Sequence, residues 1–223
     1  MHDGAPKPIL FSYWRSSCSF RVRIALALKH MSYEYRAIGD GLDSAAYTAL
    51  NPSKKVPTLC IDGVVLTQSM AILEYVDETR PTMAPLLPAD CTLRAQIRAF
   101  CLIIVADMQP LQNGAVLEEI GAISTNDDAD TKWAAHWMHR GFNALERILV
   151  TTAGTYCFGN TLSLADVVLY PQVFNARFYA IALDAYPQIQ RVAATLATIP
   201  AFQAADPYKM PDAPTQVSIS SET

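Results

Sequence analysis

The chain has 223 residues, 51% of them hydrophobic, and a formal net charge of −4. This length is sufficient for one large domain or two small ones with a sizeable core. An acidic chain without a basic run is not expected to bind nucleic acid, and its longest apolar runs, such as residues 101–106, are far too short to span a bilayer. We therefore expect a soluble globular protein with no nucleic acid or membrane partner.

Residues 1–80 predict a compact α/β domain with the element order β-α-β-α-β-β-α. Short apolar or alternating runs indicate the strands, and apolar residues at helical spacing indicate the helices. Asp62-Gly63 between the last two strands is typical of a type I′ hairpin turn. The predicted strands lie at 9–11, 33–38, 56–61 and 64–66, and the predicted helices at 20–28, 44–50 and 68–80.

Residues 80–89 contain three prolines and predict a linker, after which only helices are predicted. The first of these runs from 93 to 108 and past Pro110, with a kink at that proline. Ser163-Leu-Ala-Asp166 is a capping box that starts a deeply buried helix, and the chain from Asp206 onward is expected to be poorly ordered. Further helices are predicted over 132–150 and 187–196, and domains over 1–82 and 90–214, with a tail at 215–223.

A cluster of small polar residues, Ser16, Ser17 and Cys18, lies where the first strand passes into the first helix. The unpaired amides at a helix N-terminus, together with the helix dipole, favour an anion at that position. Hydroxyl groups there can donate hydrogen bonds to a thiolate, an alkoxide or a carboxylate. A serine at this place is also an ordinary N-cap, and on this stretch alone capping is the simpler interpretation.

The five cysteines predict free thiols in a reducing compartment. They are odd in number and scattered, none forms a C-x-x-C motif, and the four histidines are not at metal-ligand spacing from them. Residues 1–8 lack the charged-then-apolar layout of a signal peptide. We therefore expect a cytoplasmic protein without a metal site.

The order of these elements and the motifs within them resemble the cytosolic glutathione transferases, in particular the zeta class. The most specific part is Ser16-Ser17-Cys18, followed by Arg-Val-Arg-Ile-Ala-Leu at 21–26. The resemblance extends from about residue 7 to residue 214. It includes further segments in the family's order at 51–52, 56–59, 68–69, 109–113, 141–146 and 171–173.

The resemblance implies a thioredoxin-like α/β domain that binds glutathione as a cofactor, followed by an all-α domain, in a homodimer. The family's activating serine, which donates to the glutathione sulfur, falls on Ser16, and Ser17 and Cys18 line the same turn. A free thiol titrates near ~8.5, and a helix N-terminus lowers that pKa into the range of about 3.5–7.5. Ser16, Ser17 and Cys18 are therefore the catalytic candidates, and the two serines are also candidate cofactor contacts.

The resemblance assigns further glutathione contacts in the α/β domain. Val56 precedes Pro57, which is a cis-proline in the family, and the Val56 backbone is expected to pair with the central residue of glutathione as an added strand would. Gln68 and Ser69 match the family's residues that bind the γ-glutamyl carboxylate, again at a helix N-terminus.

Two residues of the predicted helical domain, Gln109 and Asn113, match family positions that face the glutathione site. A structural role is equally open for both, because Gln109 could satisfy a backbone group at the Pro110 kink. Pro57 by itself is typical of an edge strand, and a Gln-Ser pair is typical of a plain helix start. The contacts predicted in the α/β domain agree with one another, however, and there we favour the functional interpretation.

Cys18 has two interpretations. A cysteine at a helix N-terminus is activated by the same physics as the glutathione thiol, so Cys18 could be the nucleophile of a thiol transferase or disulfide reductase. Each position along a helix turns the side chain by about 100°, however, and Ser16 and Cys18 therefore cannot face one sulfur atom equally. We interpret Cys18 as a modulator of the site that forms mixed disulfides.

Members of this class isomerise maleylacetoacetate, and the resemblance implies that reaction here. The thiolate adds to the cis double bond, the bond becomes single and rotates, and elimination of glutathione leaves trans fumarylacetoacetate, as in tyrosine and phenylalanine breakdown. This small-molecule diacid needs cations, and Arg15 and Arg177 are the substrate-binding candidates, although Arg15 could equally be a solvated arginine at a strand end. The alternatives are a maleylpyruvate isomerase, a general glutathione transferase, an α-haloacid dehalogenase and a non-catalytic interaction module.

Departures from the family pattern bear on the acceptor substrate. The family's substrate-facing arginine falls on Phe178, and Arg177 stands one position earlier, on a different face of a helix. The loop at 39–41, which normally borders the acceptor pocket, is several residues shorter than in familiar members, and an insertion near 125–131 lengthens the helical domain. None of these changes falls on a residue predicted to hold glutathione.

Overall fold

The computed structural model describes residues 6–81, 83–179 and 181–215. Within these residues the chain forms two compact units, the first comprising residues 6–80 and 200–215 and the second residues 81–199. The first unit combines a sheet with helices, and the second is helical. The predicted α/β domain followed by an all-α domain is therefore confirmed.

The described part of the first unit contains one four-stranded sheet and follows the predicted element order. The elements are β1 (Ile9–Ser12), α1 (Ser17–Leu28), β2 (Glu34–Ala37), α2 (Ala45–Leu50), β3 (Thr58–Ile61), β4 (Val64–Thr67) and α3 (Ser69–Thr79). The strand order is β2-β1-β3-β4, with β1 parallel to β2 and antiparallel to β3. Helix α1 makes the crossover that a parallel pair of strands requires.

An apolar cluster holds α1 and α3 against the sheet. Val22 and Leu26 lie one helical turn apart on α1, as do Ile72 and Val76 on α3, and all four are fully buried together with Leu10 of β1. Burying a side chain of this size stabilises the fold by roughly 1.5–3 kcal/mol. The cluster therefore fixes both helices, and with them the position of each helix N-terminus.

The turn between β3 and β4 has the predicted type I′ geometry. Asp62 and Gly63 have φ values of 51° and 79°, and a type I′ turn needs positive φ at both positions. Asp62 also accepts hydrogen bonds from the Tyr75 hydroxyl at 2.9 Å and from two Arg80 nitrogens at 2.7 and 3.0 Å. The Arg80 guanidinium holds the pKa of Asp62 below its usual range, and this charged contact ties the turn to the end of α3.

The second unit differs from the prediction at Pro110, where a kinked continuous helix was expected. The helix before the proline ends at Leu102, and a π-helical turn over Ile103–Met108 and a 3₁₀ turn over Gln109–Gln112 follow it. Proline has no N–H, and its ring clashes with the carbonyl four residues earlier, so α geometry is lost before the proline is reached. The α-helices are α4 (Cys91–Leu102), α5 (Gly114–Ile123), α6 (Ala129–Thr152), α7 (Leu164–Phe178) and α8 (Pro187–Ala197).

In the second unit, two carboxylates accept hydrogen bonds from backbone N–H groups at helix N-termini. Asp166 is fully buried and accepts hydrogen bonds from Ser163 N at 2.8 Å, Ser163 Oγ at 3.0 Å and Cys157 N at 2.8 Å. This confirms the predicted capping box at the start of α7. Burial raises the pKa of Asp166, and its hydrogen bonds with Cys157 and Ser163 oppose that shift. Glu146 of α6 similarly accepts from the first backbone N–H groups of α8, at 2.8 and 3.0 Å.

The C-terminal part of the chain departs from the prediction that residues 90–214 form the helical domain. The described residues from 200 onward belong to the first unit and include α9 (Pro200–Ala204) and a 3₁₀ turn over Pro207–Lys209. They are held there because Arg23 of α1 donates to the Ala205 carbonyl at 3.1 Å and Trp14 N donates to Asp212 at 3.0 Å. Residues 216–223 of the predicted tail lie outside the described residues.

Among the described helices, none combines the length and apolar character needed to cross a membrane. The five cysteines carry free thiols.

Candidate active site at the start of the first helix

Ser16 is the N-cap of α1. It has extended backbone angles, and its Oγ accepts a hydrogen bond from Ser19 N at 3.2 Å. The cap uses a lone pair of the hydroxyl oxygen, and the O–H proton therefore remains able to donate to an anion. Capping and donation to a thiolate, which the sequence presented as alternatives, are thus compatible in one side chain.

Ser17 and Cys18 occupy the first turn of α1. Ser17 is buried, and Cys18 is half-buried with its sulfur 3.7 Å from Nη1 of Arg21. Arg21 stands one turn further along the same helix. Cys18 therefore lies between the N-terminus of α1 and the buried guanidinium of Arg21.

The loop before Pro57 is fixed by two buried side chains of the preceding segment. Asn51 Nδ2 donates to the Lys55 carbonyl at 2.6 Å and to Thr58 Oγ1 at 3.0 Å. The Tyr47 hydroxyl donates to the same Lys55 carbonyl at 2.7 Å. The Val56–Pro57 peptide bond is cis, as the resemblance implies. The backbone of Val56 thus lies between two residues, Lys55 and Thr58, that these hydrogen bonds hold in place. A backbone fixed in this way suits a segment expected to pair with an extended peptide.

Gln68 and Ser69 lie at the N-terminus of α3. Gln68 precedes the helix with φ 67° and ψ 115°, a region that non-glycine residues rarely occupy and that costs about 1–3 kcal/mol. Strain of this kind is concentrated at ligand-binding positions. Ser69 is the first residue of α3 and is only 7% exposed, beside backbone N–H groups that have no partner within the helix.

Arg21 joins the two helix N-termini. Its Nη1 atom lies 3.2 Å from Ser69 Oγ as well as 3.7 Å from Cys18 Sγ. The structure therefore brings Ser69 close to the Ser16–Cys18 turn, although 48 residues separate Arg21 from Ser69. Two helix N-termini and one buried cation meet in a single part of the first unit, which is an arrangement suited to an anionic ligand.

A second arginine of α1, Arg23, holds the loop that carries Ser16. Arg23 donates to Ser12 Oγ at 3.3 Å and to the Trp14 carbonyl at 3.1 Å, in addition to its bond with Ala205. Burial lowers the pKa of Arg23, and these three acceptors compensate for the lost hydration of the guanidinium.

The C-terminal segment (residues 205–212) contacts the same loop from its other side. Asp212 accepts from Trp14 N at 3.0 Å and from the Tyr35 hydroxyl at 2.6 Å, and the ring of Tyr208 lies 5.5 Å from that of Trp14. Burial and the hydrogen bond to Asp212 raise the pKa of Tyr35. The loop between β1 and α1 is thus fixed by residues that are distant in the sequence.

We expect Asp212→Ala to lower the free energy of unfolding by about 1–3 kcal/mol, because it leaves the Trp14 N–H and the Tyr35 hydroxyl without their acceptor. Urea denaturation followed by tryptophan fluorescence measures this loss. Tyr35→Phe, which removes only one of the two bonds, is the control and is expected to cost less. Equal losses in the two variants would contradict an anchoring role for the Trp14 contact.

The remaining predicted site residues differ in their exposure and lie in different units. Arg15 is half-buried in the loop before Ser16. Gln109 opens the 3₁₀ turn, and Asn113 is the residue before α5; both are half-buried in the second unit. Arg177 is exposed in the last turn of α7, next to Phe178, which is 45% exposed. The roles of these residues remain predictions.

The chain matches known proteins over most of its length. Residues 15–79 match the family model described as glutathione S-transferase, N-terminal domain, and residues 134–208 match glutathione S-transferase, C-terminal domain. Maleylacetoacetate isomerase of Rattus norvegicus is 46% identical over 218 residues, which cover 96% of this chain and 98% of that protein. The chain belongs to the glutathione S-transferase family.

Two solved structures identify the class within the family. Maleyl pyruvate isomerase, a bacterial glutathione S-transferase of the zeta class, has a TM-score of 0.88 at 39% identity and covers 92% of this chain and 100% of its own. Maleylacetoacetate isomerase from Anaeromyxobacter dehalogenans, with dicarboxyethyl glutathione and citrate in its active site, has a TM-score of 0.83 at 40% identity and covers 93% and 98%. The predicted resemblance to the zeta class is confirmed.

In this zeta-class transferase, sequence reasoning missed several residues that support the site. The motif at 21–26 gives Arg21 no role of its own, and Asn51 is identified only as part of the matching segment at 51–52. Asp212 was placed in a poorly ordered region. A faint signal existed for Arg21 and Arg23, because two charged residues interrupt an otherwise apolar helix. Such residues are rarely buried unless they are paired.

Proposed function

We propose that this protein is a glutathione-dependent isomerase that converts maleylacetoacetate to fumarylacetoacetate. The observation that carries the proposal is the placement of Ser16. Its oxygen caps α1 while its O–H proton remains available to donate to a sulfur anion at the helix N-terminus. The identity of 46% with the rat maleylacetoacetate isomerase supports this choice of substrate.

Glutathione is the expected cofactor because its charges suit the two helix N-termini of the first unit. Its thiol would lie at the start of α1, where Ser16 donates to the thiolate and the helix dipole lowers the pKa of the thiol. Its γ-glutamyl carboxylate would lie at the start of α3, near Gln68 and Ser69. The backbone of Val56 would pair with the cysteinyl residue between these two ends.

The reaction follows from the chemistry of a thiolate beside a conjugated cis double bond. The sulfur attacks one alkene carbon, and the electron pair of the double bond moves onto the neighbouring carbonyl as an enolate. Rotation about the new single bond brings the carbon chain to the trans arrangement. The enolate then re-forms the double bond and expels the thiolate, so glutathione is regenerated and no atoms are gained or lost.

The bound ligand in the Anaeromyxobacter dehalogenans structure is consistent with this path. Dicarboxyethyl glutathione carries a diacid fragment on glutathione, as the proposed adduct does. For the carboxylates of the substrate, Arg15 and Arg177 are the candidate cations. Gln109 and Asn113 stay candidate glutathione contacts on the resemblance to the class.

Maleylpyruvate isomerisation is the second candidate function. Phe178 stands where the class is expected to place a substrate-facing arginine, and Arg177 is exposed one position earlier. A structural neighbour with a TM-score of 0.88 is a maleyl pyruvate isomerase. The two diacids share the cis double bond and differ beyond it, so the same thiolate chemistry would apply to both.

The test compares the two diacids with purified protein and glutathione, and it measures the conversion of each cis isomer to its trans isomer. We expect turnover of maleylacetoacetate that requires glutathione and exceeds that of maleylpyruvate in kcat/KM. The reverse order would favour the second candidate. Glutathione binding without turnover of either diacid would refute the isomerase proposal.

We also propose a homodimer in the cytoplasm. The resemblance to the class supports the dimer, and β4, which pairs only with β3 among the described strands, presents Val64 and Val65 at 43% and 45% exposure. Free thiols suit a reducing compartment. Multi-angle light scattering should give twice the chain mass of 24.5 kDa; a mass of one chain would contradict the dimer.

A further inference from the structure

Two arginines of α1 are almost completely buried but differ in how their charges are satisfied. Arg21 is 1% exposed and Arg23 is 0% exposed. The guanidinium of Arg23 donates to three oxygen atoms. That of Arg21 uses only Nη1, while its Nε and Nη2 atoms are buried without a hydrogen-bond partner among the described residues.

Among the described residues, Arg21 forms no ion pair with a carboxylate. Its neighbours are a hydroxyl, Ser69 Oγ at 3.2 Å, and a thiol, Cys18 Sγ at 3.7 Å. A buried charge with so few partners is costly to the fold, and a guanidinium offers five N–H donors that suit a carboxylate. These observations point to an anionic ligand.

The contact with Ser69 determines what that hydroxyl can do. A guanidinium has no acceptor, so Arg21 Nη1 must donate and Ser69 Oγ must accept. The O–H proton of Ser69 is then directed away from Arg21 and can be donated. A hydroxyl that accepts from a cation is also a stronger donor. Arg21 thereby prepares Ser69 to donate to an anion at the N-terminus of α3.

We propose that Arg21 is a positioning residue for glutathione, which orients Ser69 toward the γ-glutamyl carboxylate and supplies the buried positive charge that this carboxylate needs. The inference rests on the proposed function, because it requires glutathione as the ligand. It adds Arg21 of α1 as a residue that acts through Ser69. The preference of the site for a ligand with the γ-glutamyl carboxylate then depends on this arginine.

The experiment compares two ligands by isothermal titration calorimetry: glutathione and its analogue γ-aminobutyryl-cysteinyl-glycine, which lacks only the γ-glutamyl α-carboxylate. For Arg21→Met we expect the Kd for glutathione to rise by about 10- to 100-fold, the range for a lost hydrogen bond to a charged group. The Kd for the analogue should change by less than about threefold. Arg21→Lys, which keeps the charge, should give an intermediate loss for glutathione.

Arg23→Met is the matched control, because Arg23 lies two residues away in the same helix and is equally buried. Its loss should lower the melting temperature and weaken both ligands by the same factor. The inference would be overturned if Arg21→Met also weakened both ligands equally, or if it left glutathione binding unchanged. If Arg21→Met does not fold, the test uses Arg21→Lys and the Arg21→Lys/Ser69→Ala double variant. In both, the loss of glutathione affinity should not exceed the loss in Ser69→Ala alone.

The binding measurement is independent of the isomerase assay. If the wild type binds glutathione with preference over the analogue but turns over neither diacid, the proposed reaction fails while the role of Arg21 stands. If the wild type binds both ligands equally, the role of Arg21 fails whatever the diacid assay shows.

Discussion

The Ser16→Ala variant is expected to isomerise maleylacetoacetate with kcat lowered by about 10²–10³-fold, the usual cost of losing one preorganised donor to a reacting anion. The hydroxyl of Ser16 lies at the N-terminus of α1, and its proton is not needed for the cap. Without this donor, the pKa of bound glutathione should rise. The ultraviolet absorbance of the thiolate, titrated against pH, measures that shift, and the rate profile should move to higher pH with it.

Two controls separate the chemistry of Ser16 from its structural role. Ser44 caps α2 through a bond from Tyr47 N at 3.3 Å, and Ser44→Ala should therefore lose the same stability of about 1 kcal/mol without losing the rate. Cys18→Ala should keep most of the rate. If Ser16→Ala retained full activity while Cys18→Ala lost it, the chemistry would belong to Cys18.

The Asp166→Ala variant is expected to lose about 3–5 kcal/mol of unfolding free energy. Asp166 is fully buried and is the acceptor for Cys157 N, Ser163 N and Ser163 Oγ. Removing it leaves two buried backbone donors unpaired, each at a cost of about 1–3 kcal/mol, and α7 loses its cap. Urea denaturation of the whole protein, followed by circular dichroism, measures this loss of unfolding free energy.

Asp90 provides the matched control for Asp166. It caps α4 by accepting from Leu93 N at 2.6 Å, but this bond is exposed. Water can replace it, so Asp90→Ala should cost only about 1 kcal/mol. Equal losses for the two variants would mean that burial of the Asp166 network adds nothing to its effect.

The elements of the fold were predictable because their signals are local. The apolar spacing of Phe20, Ile24, Ala27 and Leu28 indicated α1. Asp62-Gly63 indicated the type I′ turn. The Ser163–Asp166 box was recognisable because a cap and its partner lie within one helical turn. At Pro110 the disruption was predictable but its form was not, because a proline indicates that α geometry is lost but not which turns replace it.

The candidate site was predicted only in part, for a similar reason. Ser16 and Ser69 were identified by their motifs and by their places at helix N-termini. Their connection through Arg21 was not, because a sequence pattern indicates that a residue is buried but not which distant group it meets. The same is true of Asp212, which pairs with Trp14 across 198 positions.

The first turn of α1, which begins at Ser16, shows most clearly what the sequence determines and what the tertiary structure determines. The sequence alone determined that a helix begins there with hydroxyl and thiol groups, since capping preferences and helix dipoles act within a few residues. Only the tertiary structure decided that a second helix N-terminus, at Ser69, is joined to this turn through Arg21. Such contacts depend on chain reversals through the sheet and on the burial of charge, and neither is encoded by neighbouring residues.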